Sequence, residues 1–369
     1  MIDFFEGLGV EKKINAATTY TAIGGSLMDD EVLDAMRSAA GYFIDMRELQ
    51  IKAGEKIAKL TRNEAAFITS GCASAIVLSI LGLRTNGDAV EIGKVISGTA
   101  RESEVIIQNG HRINYDAAIK LAGSKIVTVG NAIETHAWQI ESAITEFTTA
   151  IFFVPGSHLA GSTLSLNQIV QIAHARGIPV IVDAAAQLPP VSNFWEFTEN
   201  LGADLVLFSG GKAIRGPQAS GLILGKAKHI ESISANASPN ALFARALKVG
   251  KEEIAGLTTA IERFINLDHD AELLSWNSVV DFWFEGLMGQ SQLTIEKESH
   301  NEAGQPVPRL RLSPSDGNAM KLVAQLKKNS PSIEVVHNSS NNLWLSPDSL
   351  KIGDAAKVLQ AILKFVKLS

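Results

Sequence analysis

The sequence predicts an α/β fold, with a mainly parallel sheet in a large domain followed by a smaller α+β domain at the C-terminus. Three observations carry that prediction. Short apolar, β-forming runs recur at 65–69, 89–92, 125–129, 150–154, 179–182 and 204–208. Helical spacing of apolar residues lies between several of them, at 114–122, 136–144, 166–175 and 194–201. The strand runs are apolar along their whole length rather than at alternate positions, the pattern of a parallel sheet covered on both faces.

Taken in order, residues before about 45 look irregular. The stretch NAATTYTAIGG at 15–25 reads by itself as a connecting arm, its small and hydroxyl residues suited to lying against another surface. Residues 30–40 and 45–60 carry helical spacing. AAFIT at 65–69 is a strand, Ser70-Gly71 a turn and 72–83 an apolar helix. Ser165 caps the helix at 166–175, and Gly177-Ile178-Pro179 stops it. At 204–217 the sequence is DLVLFSGGKAIRGP: an apolar run ends at Ser209-Gly210-Gly211 and Lys212 follows at once. That is a buried strand stopping at a tight turn. The strand at 220–224 comes too soon for a crossover helix and is expected to run antiparallel. A helical stretch at 240–266, interrupted only by Gly250 and Gly256, precedes strands at 293–298, 309–312, 333–336 and 343–345 and helices at 318–328 and 355–367. The expected division is an N-terminal arm (1–45), a large α/β domain (46–250), and a long helix with a small C-terminal α+β domain (251–369).

A chain of 369 residues exceeds one typical core. Lys and Arg number 33 against 39 Asp and Glu, so the net charge of −6 provides no overall basic excess for nucleic acid. The one cysteine, Cys72, excludes an internal disulfide framework and a cysteine-rich metal centre, and no metal is expected. The first residues, MIDFFEGLGVEKK, lack the pattern of a signal peptide, and no apolar run approaches the roughly 20 residues of a membrane span. The expectation is a soluble, cytoplasmic protein.

Lys212 is the first candidate for chemistry. A nucleotide phosphate loop requires G-x-x-x-x-G-K-[ST], but Val206 occupies the first glycine position and Ala213 the Ser/Thr position. No G-x-G-x-x-G lies between a strand and a helix. A lysine at a strand end, where open α/β sheets bind ligands, also suits the covalent attachment of pyridoxal phosphate, whose pyridine nitrogen pairs with an acid. Asp183 ends the run at 179–182 and precedes Ala184-Ala185-Ala186, where the Ala185 methyl suits packing on a ring face. The plainer alternative for Asp183 is a helix cap or turn acid. A phosphate needs amides at a helix start, which Thr69-Ser70-Gly71-Cys72-Ala73-Ser74 supplies, with the Ser209 hydroxyl near Lys212. The plainer alternatives are Ser70 as a helix cap and Cys72 as a small buried hydrophobe.

Further residues complete a pattern: Ile14-Asn15-Ala16, Tyr20-Thr21, Gly24-Gly25-Ser26, Gly110-His111-Arg112, Val182 through Ala186, Phe208 through Pro217, and Lys248 through Glu253. Over roughly residues 14–265 this set resembles the fold-type-I pyridoxal-phosphate enzymes, within them the branch of selenocysteine synthase (seryl-tRNA(Sec) selenium transferase) and D-glucosaminate-6-phosphate ammonia-lyase. The resemblance implies that Lys212 forms the Schiff base, Asp183 holds the pyridine nitrogen, and Ser70, Gly71, Cys72 and Ser209 anchor the phosphate. It places His111 where such enzymes set a ring-stacking or nearby polar residue, the alternative being a helix-entry histidine. His158, or Ser157 beside it, is a candidate to face the cofactor's phenolic oxygen. Arg215 is a candidate phosphate or substrate anchor or dimer contact. Arg309 is a candidate carboxylate clamp, against the plainer reading of an exposed strand arginine.

The pattern identifies an electron sink and leaves the fate of the carbanion open. Lys212, once displaced by substrate, is the natural acid–base at Cα. The chain departs from the tRNA-acting relatives in its acidic balance and in the short segment before Ile14, so a small amino-acid substrate is expected rather than nucleic acid or a membrane. Both named relatives remove a β-substituent, which favours α,β-elimination from a hydroxylated or phosphorylated amino acid. An amino-acid racemase or aldolase is the alternative on the same scaffold. A catalytically silent ligand-binding homologue is the alternative from another class. The family's habit of building sites at a subunit interface implies a homodimer or higher homo-oligomer, with residues 15–25 reaching the neighbour's site.

Overall fold

The strands, in chain order, are β1 (Lys13–Ala16), β2 (Ala65–Thr69), β3 (Glu104–Gln108), β4 (Lys125–Val129), β5 (Thr148–Phe153), β6 (Val180–Asp183), β7 (Leu205–Ser209), β8 (Gly221–Gly225), β9 (Leu293–Glu298), β10 (Arg309–Pro314), β11 (Ser332–His337) and β12 (Leu343–Leu345). They come from a computed structural model that describes residues 3–156, 161, 163–338 and 341–368. Seven strands form one sheet in the order β2-β8-β7-β6-β5-β3-β4. The pairs β7/β6, β6/β5, β5/β3 and β3/β4 are parallel. β8 is antiparallel to both β2 and β7, as expected from the short connection before it. β2 therefore runs in the same direction as β7, and the ends of β2, β7, β6, β5 and β3 meet the start of β8 along one sheet edge.

Successive residues of these strands enter opposite cores. Val182, Val206, Phe208 and Leu222 lie in one hydrophobic cluster, Ile181, Leu205, Leu207 and Ile223 in the other. Both faces are thus covered, which explains why the runs are apolar throughout; each such fully buried side chain contributes roughly 1.5–3 kcal/mol. The helix Cys72–Thr85 is apolar on nearly every side, with ten buried positions, because it is enclosed rather than laid on the surface.

Several local expectations need correction. Residues 89–92 form no strand: Ala89–Ser97 is a helix, and Asp88 Oδ1 accepts the Val90 and Glu91 amides at 2.8 and 3.0 Å. A capping aspartate outweighs a short apolar run. Residues 240–266 are not one helix; a 3-10 turn at Arg245–Leu247 precedes the helix Lys251–Asn266, with Gly250 at its N-cap. β3 (EVIIQ) and the helix His269–Leu287 are additional elements. Lys13–Ala16, expected to be irregular, is a strand because it finds a parallel partner in β11.

The described residues form two compact units. The larger comprises Leu27–Leu267 with Glu302–Gly304. The helix Lys251–Asn266 belongs to it because it packs against Asp30–Ala40 and Met46–Leu60. The smaller comprises Met1–Ser26, Asp268–Asn301 and Gln305–Ser369, built on a sheet of order β1-β11-β12-β10-β9. The boundaries thus differ from 1–45, 46–250 and 251–369: β1 ties the first residues to the small unit, and the long helix stays with the large one. In the small unit Trp283 is fully buried and donates its indole N–H to Ala355 O at 2.9 Å. No helix among the described residues is long and apolar enough to cross a membrane.

Candidate active site

Strand register assembles the site at the sheet edge. Ser209 lies opposite Gly221, and Gly221 opposite Thr69, so the ends of β7 and β2 flank the first residue of β8. One strand over, Asp183 ends β6 opposite Leu207. Beyond β2 the chain turns through Gly71, whose φ of +96° is the left-handed region that suits glycine, and enters the helix Cys72–Thr85. The Thr69 hydroxyl donates to Gly71 O at 2.9 Å, fixing the turn. No side chain caps this helix start, leaving its first-turn amides for a ligand. A Cβ at Gly71 would meet nothing within 4 Å, so the space beside the turn is open. A Cβ at Gly221 would fall 2.5 Å from Gly71 C and 2.7 Å from Cys72 N; only glycine lets β8 pass beneath the helix start.

Lys212 follows β7 in a turn that folds back on itself. Gly210 N–H donates to Ser220 O at 2.9 Å, Gly216 N–H to Gly210 O at 2.8 Å, and Arg215 N–H to Lys212 O at 2.9 Å. Arg215 adopts φ +57°, a strained choice for a non-glycine residue, which completes this tight loop. Lys212 is half-buried and close enough for its charge to act on both Asp183 and Cys72.

Asp183 is 6 % exposed. Its Oδ1 accepts the Ala185 N–H at 3.1 Å and the Cys72 thiol at 3.7 Å. Burial pushes its carboxyl above the usual carboxylate value, against the opposing pull of the Ala185 amide, the Lys212 charge and the Cys72 thiol. Burial and the neighbouring Asp183 carboxylate in turn hold the Cys72 thiol well above the usual thiol range.

The structure therefore brings Cys72, Asp183 and Lys212 together, with Ala185 held at Asp183 and Ser209 in the row beside them. Ser70 is adjacent, but its hydroxyl lies 3.0 Å from Leu247 O and 3.1 Å from Ser74 Oγ, so its proton ties the turn to the segment before Gly250. His111 stands at the same edge beyond β3, two strands from Asp183. It is 1 % exposed, accepts the Val154 N–H on Nδ1 at 3.4 Å and reaches Thr163 Oγ1 with Nε2 at 3.2 Å, its ring edge-on to Phe153 at 4.5 Å. Burial lowers its pKa to about 4, so it is a neutral, fully engaged imidazole. Arg309 lies in the smaller unit and is buried rather than exposed. Its Nε donates to Glu298 Oε2 at 2.7 Å, and its guanidinium sits over the Trp344 ring at 5.0 Å. His158 and Ser157 lie outside the described residues. No cluster of metal-ligating side chains occurs among the described residues.

One contributor escapes a reading of the sequence. Gly221 enters the site through strand register, opposite both Thr69 and Ser209, and its one advance signal is a glycine that opens a buried strand. Lys251, in the motif at 248–253, serves the fold instead. Its ammonium binds the Ala39, Ala40 and Tyr42 carbonyls at 2.8, 3.1 and 3.0 Å, ending the helix Asp30–Ala40.

Residues 14–280 match the family model described as SelA, L-seryl-tRNA selenium transferase. The chain is 32% identical over 334 residues to the D-glucosaminate-6-phosphate ammonia lyase of Salmonella typhimurium, covering 88% of this chain and 87% of that one. It is 28% identical over 341 residues to a 5'-C-glycyluridine monooxygenase-decarboxylase of a Streptomyces species, covering 89% and 83% respectively. A solved structure of D-glucosaminate-6-phosphate ammonia-lyase superposes with a TM-score of 0.85 at 29% identity, covering 100% of this chain and 99% of that one. The architecture is that of the fold-type-I pyridoxal-phosphate enzymes. The chain belongs to the L-seryl-tRNA selenium transferase (SelA) family.

Proposed function

We propose that this protein is a cytoplasmic, homodimeric, pyridoxal-phosphate-dependent lyase that eliminates a β-hydroxyl or β-phosphate from a small amino acid. One observation carries the reading: a buried carboxylate, a half-buried lysine and an uncapped helix start converge at one sheet edge, in a chain similar along most of its length to an ammonia-lyase.

The residues present fit the cofactor. The open space beside Gly71 and the uncapped helix start suit a phosphate, with the Ser209 hydroxyl in the adjacent row. Asp183, whose burial raises its pKa, suits a partner that carries a proton. Lys212 supplies the amine that would hold the cofactor's aldehyde carbon. When bound, pyridoxal phosphate supplies an electron sink for the pair released at the substrate's Cα.

The remaining chemistry belongs to the chain. Asp183, in its carboxylate form, would hold the cofactor's protonated ring nitrogen through a charge-assisted hydrogen bond. Lys212 Nζ takes the Cα proton as general base. The β-substituent leaves with its bonding pair, and hydrolysis by water yields a 2-oxo acid and ammonia. Neutral His111 holds the chain after β5 in place and takes no proton at neutral pH.

The test is direct. Purified protein given pyridoxal phosphate should acquire a visible absorption band that Lys212→Ala lacks; a wild-type protein that stays colourless refutes the reading. A panel of D- and L-hydroxyamino acids and their phosphates should then release 2-oxo acid and ammonia. Loss of optical activity without ammonia would make it a racemase, and aldehyde release an aldolase. Sedimentation equilibrium at twice the chain mass checks the dimer.

A further inference from the structure

Asp183 Oδ1 is tied from two sides. The Ala185 amide at 3.1 Å comes from the same segment and moves with it. The Cys72 thiol at 3.7 Å comes from the start of the helix Cys72–Thr85, which follows the turn at Gly71. Among the described residues no hydrogen bond falls on Oδ2.

We infer that Cys72 is a positioning residue: its thiol proton, donated to Asp183 Oδ1, orients the carboxylate and reserves Oδ2 for the cofactor's ring nitrogen. This rests on the proposed pyridoxal-phosphate reading. The thiol joins the two halves of the site, since the same helix start that opens toward the phosphate also steadies the acid. A cysteine serves here because it is small, and because burial beside a carboxylate keeps it protonated and hence a donor at neutral pH. A thiolate in that place would repel Asp183.

Cys72 is the chain's one cysteine, so thiol chemistry reports on it alone. The rate of iodoacetamide alkylation, measured against pH in protein freed of cofactor, gives the thiol pKa apart from its accessibility. Asp183→Asn, with Asp183→Ala as the second variant should the first not fold, removes the neighbouring charge. Either should lower the midpoint by about one pH unit and so speed alkylation about tenfold below it. An unchanged midpoint in a folded variant overturns the proposal, even if the wild type shows the visible band of bound cofactor. A lowered midpoint in a protein that never acquires that band leaves the thiol–carboxylate contact standing and removes the cofactor reading instead. In loaded protein, Cys72→Ala should weaken pyridoxal phosphate binding and move the pH midpoint of the visible band, and Cys72→Ser, which keeps a donor, should restore both. Cys72→Ala with binding and midpoint unchanged also overturns the proposal.

Discussion

Two aspartates at opposite edges of the same sheet meet opposite fates. Asp183 ends β6 at the functional edge, and Asp204 immediately precedes β7 at the other; both are buried, at 6 % and 3 % exposure. Burial opposes ionisation of each. At Asp204 it is outweighed by His229 at 3.9 Å, Lys226 at 2.5 Å, His174 at 2.8 Å and the Val180 amide at 2.8 Å, which hold the carboxyl well below the usual range. At Asp183 one amide, one thiol and the Lys212 charge do not overcome it, and the carboxyl is pushed up. A saturated carboxylate fastens strands together; an under-partnered one keeps an oxygen for a ligand at the expense of stability.

The sharpest way to break this comparison is to neutralise both acids. Asp183→Asn should lower turnover by about 10²–10⁴-fold, the range for losing a positioned acid–base partner, while leaving unfolding free energy at pH 7 equal or higher. The sign follows from the raised pKa: its favourable contribution is present below the unfolded value and lost as pH rises through the folded one. Steady-state kinetics with urea titration measures both, and a clear loss of stability would break the contrast.

Asp204→Asn should do the reverse, destabilising by about 3 kcal/mol because a buried, paired charge is removed from its partners, with turnover per folded molecule little changed. Here the folded pKa is depressed, so the stabilisation is present above the unfolded value near 3.9 and lost as pH falls below about 4. Wild-type stability should therefore fall steeply in that range and the variant's much less, as read by urea midpoints at stepped pH.

His111 sharpens the comparison at the functional edge. With a folded pKa of about 4, its neutral form is favoured, and stability should be lost as pH falls from about 6.5 toward 4. The loss between pH 7 and pH 5 should be on the order of 2 kcal/mol, and His111→Gln should remove that slope. The smallest effect belongs to Lys226→Met. Its side chain is 37 % exposed and solvent-screened, so the cost should be only about 1 kcal/mol by thermal unfolding, since His174 and Val180 still hold Asp204.

Much of the site is legible in the chain before it folds. Strand ends, the Ser70-Gly71 turn, the Ser209-Gly210-Gly211-Lys212 loop and the acid after an apolar run are local features, governed by glycine conformation and by the need to bury both faces of a parallel sheet. The helix at Ala89–Ser97 escaped because its decisive signal, the Asp88 cap, competes with an apolar run of strand length. What only the tertiary structure decided depends on groups distant in the sequence. Cys72 meets Asp183 because β2 and β6 lie in one sheet, Asp204 gathers His174, Lys226 and His229 around one carboxylate, and Lys13–Ala16 becomes a strand through β11. The reason is physical: a side chain's type carries its chemistry, but its pKa and its free lone pairs are set by burial and neighbours, which exist only after the strands pair. Sequence named Lys212 and Asp183; packing alone decided that Asp183 would be left short of partners and that Asp204 would not.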